Sequence, residues 1–383
     1  MKRLGCLVLV LVLAAGLLSI QAQAAPLEVT AKSALLMDAA TGTVLFEQNS
    51  HEALAPASVT KVMTMLLIME AIADGRIGWD DTVTASATAA AKGGSQIYLK
   101  EGETMSVTDM LKSIAVSSAN DCACAMAEHL AGSENAFVDN MNRRAKELGM
   151  NDTNFVNCTG LDDDPNAAEH KTSAHDIALM SRELIANHPE IKKFTTIWMD
   201  TVRGGSFGLS NTNKLVRFYN GATGLKTGFT RAAGYCLSAT AQRDGMELIA
   251  VVMGCTTSQE RFAACKALLD YGFSNYALVN PQLSEPASVP VKLGVADTVQ
   301  VVLPEQIPML VEKGQKNLIT TQVTLDESVD APVSKGQRLG TMTVYAGEQV
   351  LQQIPLVAES SVEKLTWGQV FMKLLKYLAM ADE

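Results

Sequence analysis

Two apolar strand pairs, far apart in the chain, constrain the fold more than any other feature. "SALLMDAATGTVLFEQN" (33–49) reads as two strands around a turn at Ala39 to Gly42. "GYCLSATAQRDGMELIAVVMG" (234–254) reads as two more, joined at Arg243 to Gly245. Between them the apolar spacing is helical. One helix is expected from Ser58 to Asp74, with Leu66, Leu67, Met69 and Ile72 on its apolar face and Gly75 as its stop. Others fit Val107 to Ala115, Asp121 to Ala131, Glu134 to Leu148 and Ala174 to Ala186, and "SQERFAACKALLDYGFSNY" returns to helix. A sheet opened by one hairpin and completed by another, with helices between and after, predicts an α/β sandwich over residues 25–278.

The texture then changes. From 279 to 358, alternations such as "QVTLDESV" and "TMTVYAGEQVLQQIPLV" predict a small all-β domain. In the last segment, 359–383, "VEKLTWGQVFMKLLKYLAM" (Val362 to Met380) sets Leu365, Val370, Phe371, Leu374, Leu375 and Leu378 at helical spacing, accompanied by Trp367, Lys373 and Lys376. Such a stripe fits docking on the protein or lying on a membrane surface; a membrane-surface helix is the expectation, given the leader at the other end.

That leader is Met1 to Ala24. Lys2 and Arg3 form its basic start, "LGCLVLVLVLAAGLLSI" its apolar core, and Ala22-Gln23-Ala24 a small-x-small cleavage site. Cys6 lies at the very start of this apolar run, ahead of its main body, so no lipid attachment is expected there. Removing 24 of 383 residues leaves 359, with the net charge going from −10 to −12, which argues against a nucleic-acid partner. The six remaining cysteines, Cys122, Cys124, Cys158, Cys236, Cys255 and Cys265, are too few for a small disulfide framework in so long a chain. Cys122 and Cys124 lack the partner pair of a zinc site. Most read as buried small hydrophobes, with a disulfide as the alternative. The five histidines, His51, His129, His170, His175 and His188, show no metal spacing and are expected on surfaces or turns. "GLDDD" (Asp162 to Asp164) is read as a solvated loop rather than a cation site, and Asn151-Asp-Thr and Asn157-Cys-Thr are weak glycosylation sequons.

Chemistry enters with "PASVTKVMT", where Ser58 and Lys61 lie three apart and so share a helix face. Alone they would be an ordinary surface pair. Sixty residues on, "SSAND" places Ser118 and Asn120 at a helix start, where Ser118 alone would be a helix N-cap. A further 108 residues on, "GLKTGFT" places Lys226, Thr227 and Gly228 on an edge strand. The three together, in this order, match the three-part signature of active-site-serine penicillin-recognising enzymes. The chain resembles the D-alanyl-D-alanine carboxypeptidases, low-molecular-mass penicillin-binding proteins, nearest their sporulation-type branch. The resemblance extends through "GSQIYLKEGETMSVTDMLKSIAVSSANDCACAMAEHLAGS", "LGMNDTNFVNCTGLDDD", "TSAHDIALMSREL" and "GLKTGFTRAAGYCLSATA".

The resemblance implies a β-lactamase/transpeptidase-like sandwich, a small all-β domain and an amphipathic anchor. It implies removal of the terminal D-alanine from peptidoglycan stem peptides through an acyl-enzyme, with inhibition by β-lactams, and it calls for no cofactor or metal. The site is exported, at the outer face of the cytoplasmic membrane. In this reading Ser58 is the nucleophile and Lys61 its base, with a pKa lowered by burial and a cationic neighbour, Lys226. Ser118 relays a proton to the leaving amine. Asn120 holds Lys61 and the substrate amide, and Thr227 bonds the substrate carboxylate. The backbone N–H groups of Ser58 and of Phe229, which follows Gly228, form the oxyanion hole, and Arg261 of "SQERF" binds the terminal carboxylate. Some members of the family carry His where Phe229 stands, a change the backbone role survives. Two rivals differ in observable ways. A class A β-lactamase needs a glutamate for its deacylating water, and "NCTGLDDDPNAAEH" offers no E-x-x-L-N. A catalytically inert wall-binding module would not need the full residue set. Endopeptidase action on cross-links stays open.

Overall fold

The two hairpins meet in one sheet. The computed structural model describes residues 27–162, 165–304 and 307–380, so the expected leader and Asp163 and Asp164 lie outside the described residues. Strands β1 (Ser33–Asp38), β2 (Val44–Gln48), β3 (Ala222–Thr230), β4 (Gly234–Arg243) and β5 (Met246–Cys255) form an antiparallel sheet in the order β2-β1-β5-β4-β3. Leu36 stands opposite Ala250, and Lys226 opposite Ser238. Alternation along β1 sends Leu35 and Met37 into one core and Ala34 and Leu36 into the other. Both faces are therefore covered by helices.

On one face lies α6 (Ser258–Asn275), entered through a capping box in which Thr257 and Glu260 bond each other's backbone N–H groups. On the other lies a helical body: α1 (Lys61–Ala73), α2 (Val107–Ser117), α3 (Asn120–Ala131), α4 (Glu134–Glu147) and α5 (Ala174–Asn187). Helix α1 is buried on all sides from Lys61 to Met69, which makes it the axis of that body. β3 is the sheet's free edge, as its motif required, and it runs past the start of α1.

Beyond α6, β6 (Tyr276–Val279) pairs with β9 (Met309–Glu312), so the boundary expected at 278/279 falls inside a strand. β7 (Ala287–Lys292), β8 (Thr298–Val302), β10 (Ile319–Leu325), β11 (Val329–Asp330), β12 (Arg338–Ala346) and β13 (Gln349–Ala358) make a six-stranded sheet. Its core is built from Val289, Val299, Leu339, Met342, Ile354 and Leu356.

The terminal helix starts later than its apolar stripe suggested. Val362 bridges to Val333 and Lys364 to Gly294, which keeps 362–364 on the β domain and takes Leu365 out of the helix. Helix α7 (Trp367–Met380) begins where the Gln369 side chain accepts from the Thr366 backbone N–H and hydroxyl, a capping-box arrangement. Trp367, Phe371, Met372, Leu374 and Leu375 are exposed on it. No helix among the described residues is long and apolar enough to cross a membrane.

Candidate active site

Ser58 sits in a 3₁₀ turn, Ala57–Thr60, that feeds directly into α1. The turn opens with Ala57 at φ +50°, a left-handed conformation for a residue with a Cβ, and Thr60 Oγ1 closes it by donating to the Ala57 carbonyl at 2.8 Å. Ser58 is half-buried while Ala57, Val59 and Thr60 are buried, so the hydroxyl is the part of the turn left open. Lys61, fully buried, donates from Nζ to Ser58 Oγ at 3.0 Å and to the Thr159 carbonyl at 2.8 Å.

The third motif packs directly on this turn, and the second reaches it through Asp121, whose charge acts on Lys61. β3 passes so close that a Cβ on Gly228 would lie 2.6 Å from the Pro56 carbonyl and 3.1 Å from the Ser58 nitrogen, which explains the glycine. Lys226 is buried and donates to the Thr227 carbonyl, while the Phe229 side chain is exposed and stacks on Tyr235. Ser118 is buried at the junction of α2 and α3. It is not an N-cap: Ala119 holds that position, and Ser118 ends α2 in the left-handed conformation at φ +63°. Two consecutive helices meet there without a loop, so a serine terminates the first instead of starting the second. Asn120 anchors the junction, its backbone N–H donating to the Ser95 carbonyl and its Nδ2 to the Gly93 carbonyl, both at 2.7 Å.

Three expected contacts differ. Asn120 does not hold Lys61, whose bonds go to Ser58 and Thr159; the Asn120 Oδ1 is buried with no hydrogen-bond partner. Thr227 Oγ1 donates to Thr212 Oγ1 at 2.7 Å, so it must turn to donate to a carboxylate. Arg261 is not an open fork. Its Nη1 donates to the Gly228 and Cys236 carbonyls at 3.0 and 3.4 Å, and its guanidinium lies between Tyr235 and Phe262. It stands behind β3 and fixes the strand's end.

Burial lowers Lys61 to about 7, against the opposing pull of Cys158 and Asp121. Lys226 is also pushed well down, first by burial and then by the positive charges of Lys61 and Arg261. Of the two expected causes, burial is the one that lowers Lys61, whereas the repulsion between the amines is expressed on Lys226. Among the described residues all six cysteines are free and buried.

Several residues that build the site carry no motif. Asn157 Oδ1 accepts from the backbone N–H groups of Thr159 and Gly160, shaping the loop that delivers the Thr159 carbonyl to Lys61. That side chain is buried, so the sequon at Asn157 is closed to modification. The Asn-x-x-Gly spacing was the available signal for such a turn. The Asp121 carboxylate accepts from the N–H groups of Ile97 and Leu99, tying the 93–99 segment to α3. His170, expected at a surface, is buried. A cleft of about 400 Å³ opens beside Ser58, lined by Pro56, Ala57, Leu161, Ala168 and Ala232 among others.

The chain can be set beside known proteins. The family model described as D-alanyl-D-alanine carboxypeptidase matches residues 20–257, and that described as penicillin-binding protein 5, C-terminal domain, matches 282–364. The D-alanyl-D-alanine carboxypeptidase DacF of Bacillus subtilis is 44% identical over 340 residues, 87% of this chain and 86% of that protein. DacC of Escherichia coli, another D-alanyl-D-alanine carboxypeptidase, is 34% identical over 90% of this chain and 88% of its own length. Penicillin-binding protein 5 from Haemophilus influenzae superposes with a TM-score of 0.75 at 30% identity, covering 89% of this chain and 99% of that one. Penicillin-binding protein D2 from Listeria monocytogenes, in an ampicillin-bound form, gives 0.57 at 33% identity over 65% of this chain and 100% of its own. Since the likeness runs through both the α/β and the all-β domains and spans most of its relatives' length, the chain belongs to the D-alanyl-D-alanine carboxypeptidase family of serine peptidases.

Proposed function

We propose that this chain removes the terminal D-alanine from peptidoglycan stem peptides through an acyl-enzyme on Ser58, and that β-lactams acylate the same oxygen. The observation that carries this reading is the Lys61 amine, 3.0 Å from Ser58 Oγ, wholly buried and lowered to about 7. An amine with that pKa is in part neutral at neutral pH and can accept the serine proton. Ser58 Oγ then attacks the penultimate carbonyl. The backbone N–H groups of Ser58 and Phe229 stabilise the oxyanion, each such donor contributing roughly 100- to 1000-fold. As the C–N bond breaks, the proton passes from Lys61 through Ser118 to the leaving D-alanine nitrogen. Water then cleaves the ester by the reverse proton route. Thr227 receives the substrate carboxylate, Arg261 supplies positive potential from behind β3, and Lys226, on the strand itself, sets its buried amine within electrostatic reach of Lys61. Asn120 Oδ1, buried and unpartnered, is the acceptor for the substrate amide N–H.

The test is direct. Incubation with benzylpenicillin should add one penicilloyl mass to the peptide containing Ser58, and a pentapeptide ending in D-Ala-D-Ala should release one D-alanine. An adduct elsewhere, or rapid cephalosporin turnover with no peptide hydrolysis, would refute this assignment.

We also propose residues 27–275 as the catalytic unit and α7 as a peripheral anchor on the outer face of the cytoplasmic membrane. In support, α7 exposes Trp367, Phe371, Met372, Leu374 and Leu375 and carries Lys373 and Lys376 but no acidic residue. A chain ending at Thr366 should stay folded and lose sedimentation with phospholipid vesicles. Equal binding by the shortened chain would remove α7 from this role.

A further inference from the structure

His170 has no part in the proton path, yet it is buried against the nucleophile turn at 4% exposure. Its Nε2 lies 2.7 Å from Thr60 Oγ1, and its Nδ1 lies 3.1 Å from the Val156 backbone nitrogen. Thr60 Oγ1 in turn donates its one proton to the Ala57 carbonyl, which can only accept. The Thr60 oxygen must therefore accept from His170. The Val156 N–H can only donate, so His170 Nδ1 must be the acceptor. Both contacts are satisfied by a single form of the ring, the neutral imidazole with its proton on Nε2. The Phe155 ring, edge-on at 5.7 Å, packs against the imidazole.

The end of this chain of bonds is the peptide that joins Ala57 to Ser58. A trans peptide is planar, with its C=O and N–H pointing in opposite directions. Whatever fixes the Ala57 oxygen therefore aims the Ser58 N–H, which is one of the two oxyanion donors assigned above. The plane needs such a restraint, because Ala57 is left-handed at φ +50°.

We propose that His170 is a positioning residue: through Thr60 it holds the Ala57–Ser58 peptide plane and so orients the Ser58 N–H toward the developing oxyanion. This rests on Ser58 being the nucleophile. The interaction stabilises the transition state and not the bound peptide, so its loss lowers kcat and leaves KM nearly unchanged.

The experiment compares His170→Asn, His170→Gln, Thr60→Val and the double variant His170→Asn/Thr60→Val in the full chain. Glutamine carries an N–H donor to the place of Nε2, whereas asparagine reaches only the place of Nδ1. The readouts are kcat and KM on a D-Ala-D-Ala pentapeptide, the rate of Ser58 acylation by benzylpenicillin followed by mass spectrometry, and Tm. His170→Asn and Thr60→Val are each expected to slow acylation and kcat roughly 10- to 100-fold, within what a whole oxyanion donor contributes. Glutamine should restore most of the rate, and the double variant should be no slower than the slower single one. Acylation of His170→Asn at the wild-type rate would overturn the proposal. So would equal losses for asparagine and glutamine, a loss confined to KM, or additive losses in the double variant. Absence of a Ser58 adduct in the wild-type chain would instead overturn the nucleophile assignment itself.

Discussion

Replacing Lys61 with alanine is expected to slow acylation of Ser58 by benzylpenicillin about 10⁴-fold, the upper end of what a positioned base contributes. The geometry places it there because Lys61 has one task and a fixed aim. Its amine donates to the Thr159 carbonyl at 2.8 Å, and in the neutral form this bond leaves the lone pair facing Ser58 Oγ. When the amine is protonated, the hydrogen bond runs from Nζ to Oγ and the base is silent. Lys61 sits near 7 because burial disfavours its charge. A base works deprotonated, so wild-type acylation should fall tenfold per pH unit below about 7 and flatten above it. The alanine variant should lose that limb along with its rate. Lys61→Arg should be nearly as slow, since a guanidinium keeps its proton. An alanine variant within tenfold of wild type, or one retaining the limb, would show that another group takes the serine proton.

The parts of this machine that were legible in the sequence are those whose side-chain chemistry is indispensable. Ser58, Lys61 and Lys226 stand out because no other residue types do their work, and the strands and helices around them follow from local apolar period. Harder to read are the residues that act through the main chain. Thr159 gives Lys61 only a carbonyl, which any residue supplies, and the loop that presents it is shaped by Asn157. Thr212 meets Thr227 from a segment with no periodic pattern. Arg261 was readable as a charge on a helix, but its engagement with the Gly228 carbonyl depends on how α6 packs across β4 and β5, which lets the side chain reach β3. His170 looked like a surface histidine because the residues around it are polar, and only folding brings it beneath Thr60. The start of α7 was misplaced by a stripe that continues through Leu365, where pairing with the β domain overrides helical period.

Gly160→Ala should be the most damaging single-methyl substitution near the site. Gly160 lies at φ +77°, and a Cβ there would fall 1.8 Å from the Ala57 carbonyl oxygen and 2.6 Å from Thr60 Oγ1. The first of these is backbone and cannot rotate away. Two costs combine: about 1–2 kcal/mol for a left-handed alanine, and about 1–3 kcal/mol for overpacking that shifts the main chain. Together they predict a stability loss of about 2–5 kcal/mol. The displaced atoms are those of the nucleophile turn, so activity should fall further than unfolding explains. A shift of about 1 Å in reacting groups costs roughly 100-fold. The measurement is acylation rate well below the variant's Tm, with Gly75→Ala as the reference. Gly75 has nearly the same backbone, φ +70°, but nothing within 4 Å of its Cβ position. It should lose only the backbone cost and keep wild-type acylation. If Gly160→Ala matched Gly75→Ala in both stability and rate, the close approach of the 157–161 loop to the Ser58 turn would have no role in holding it.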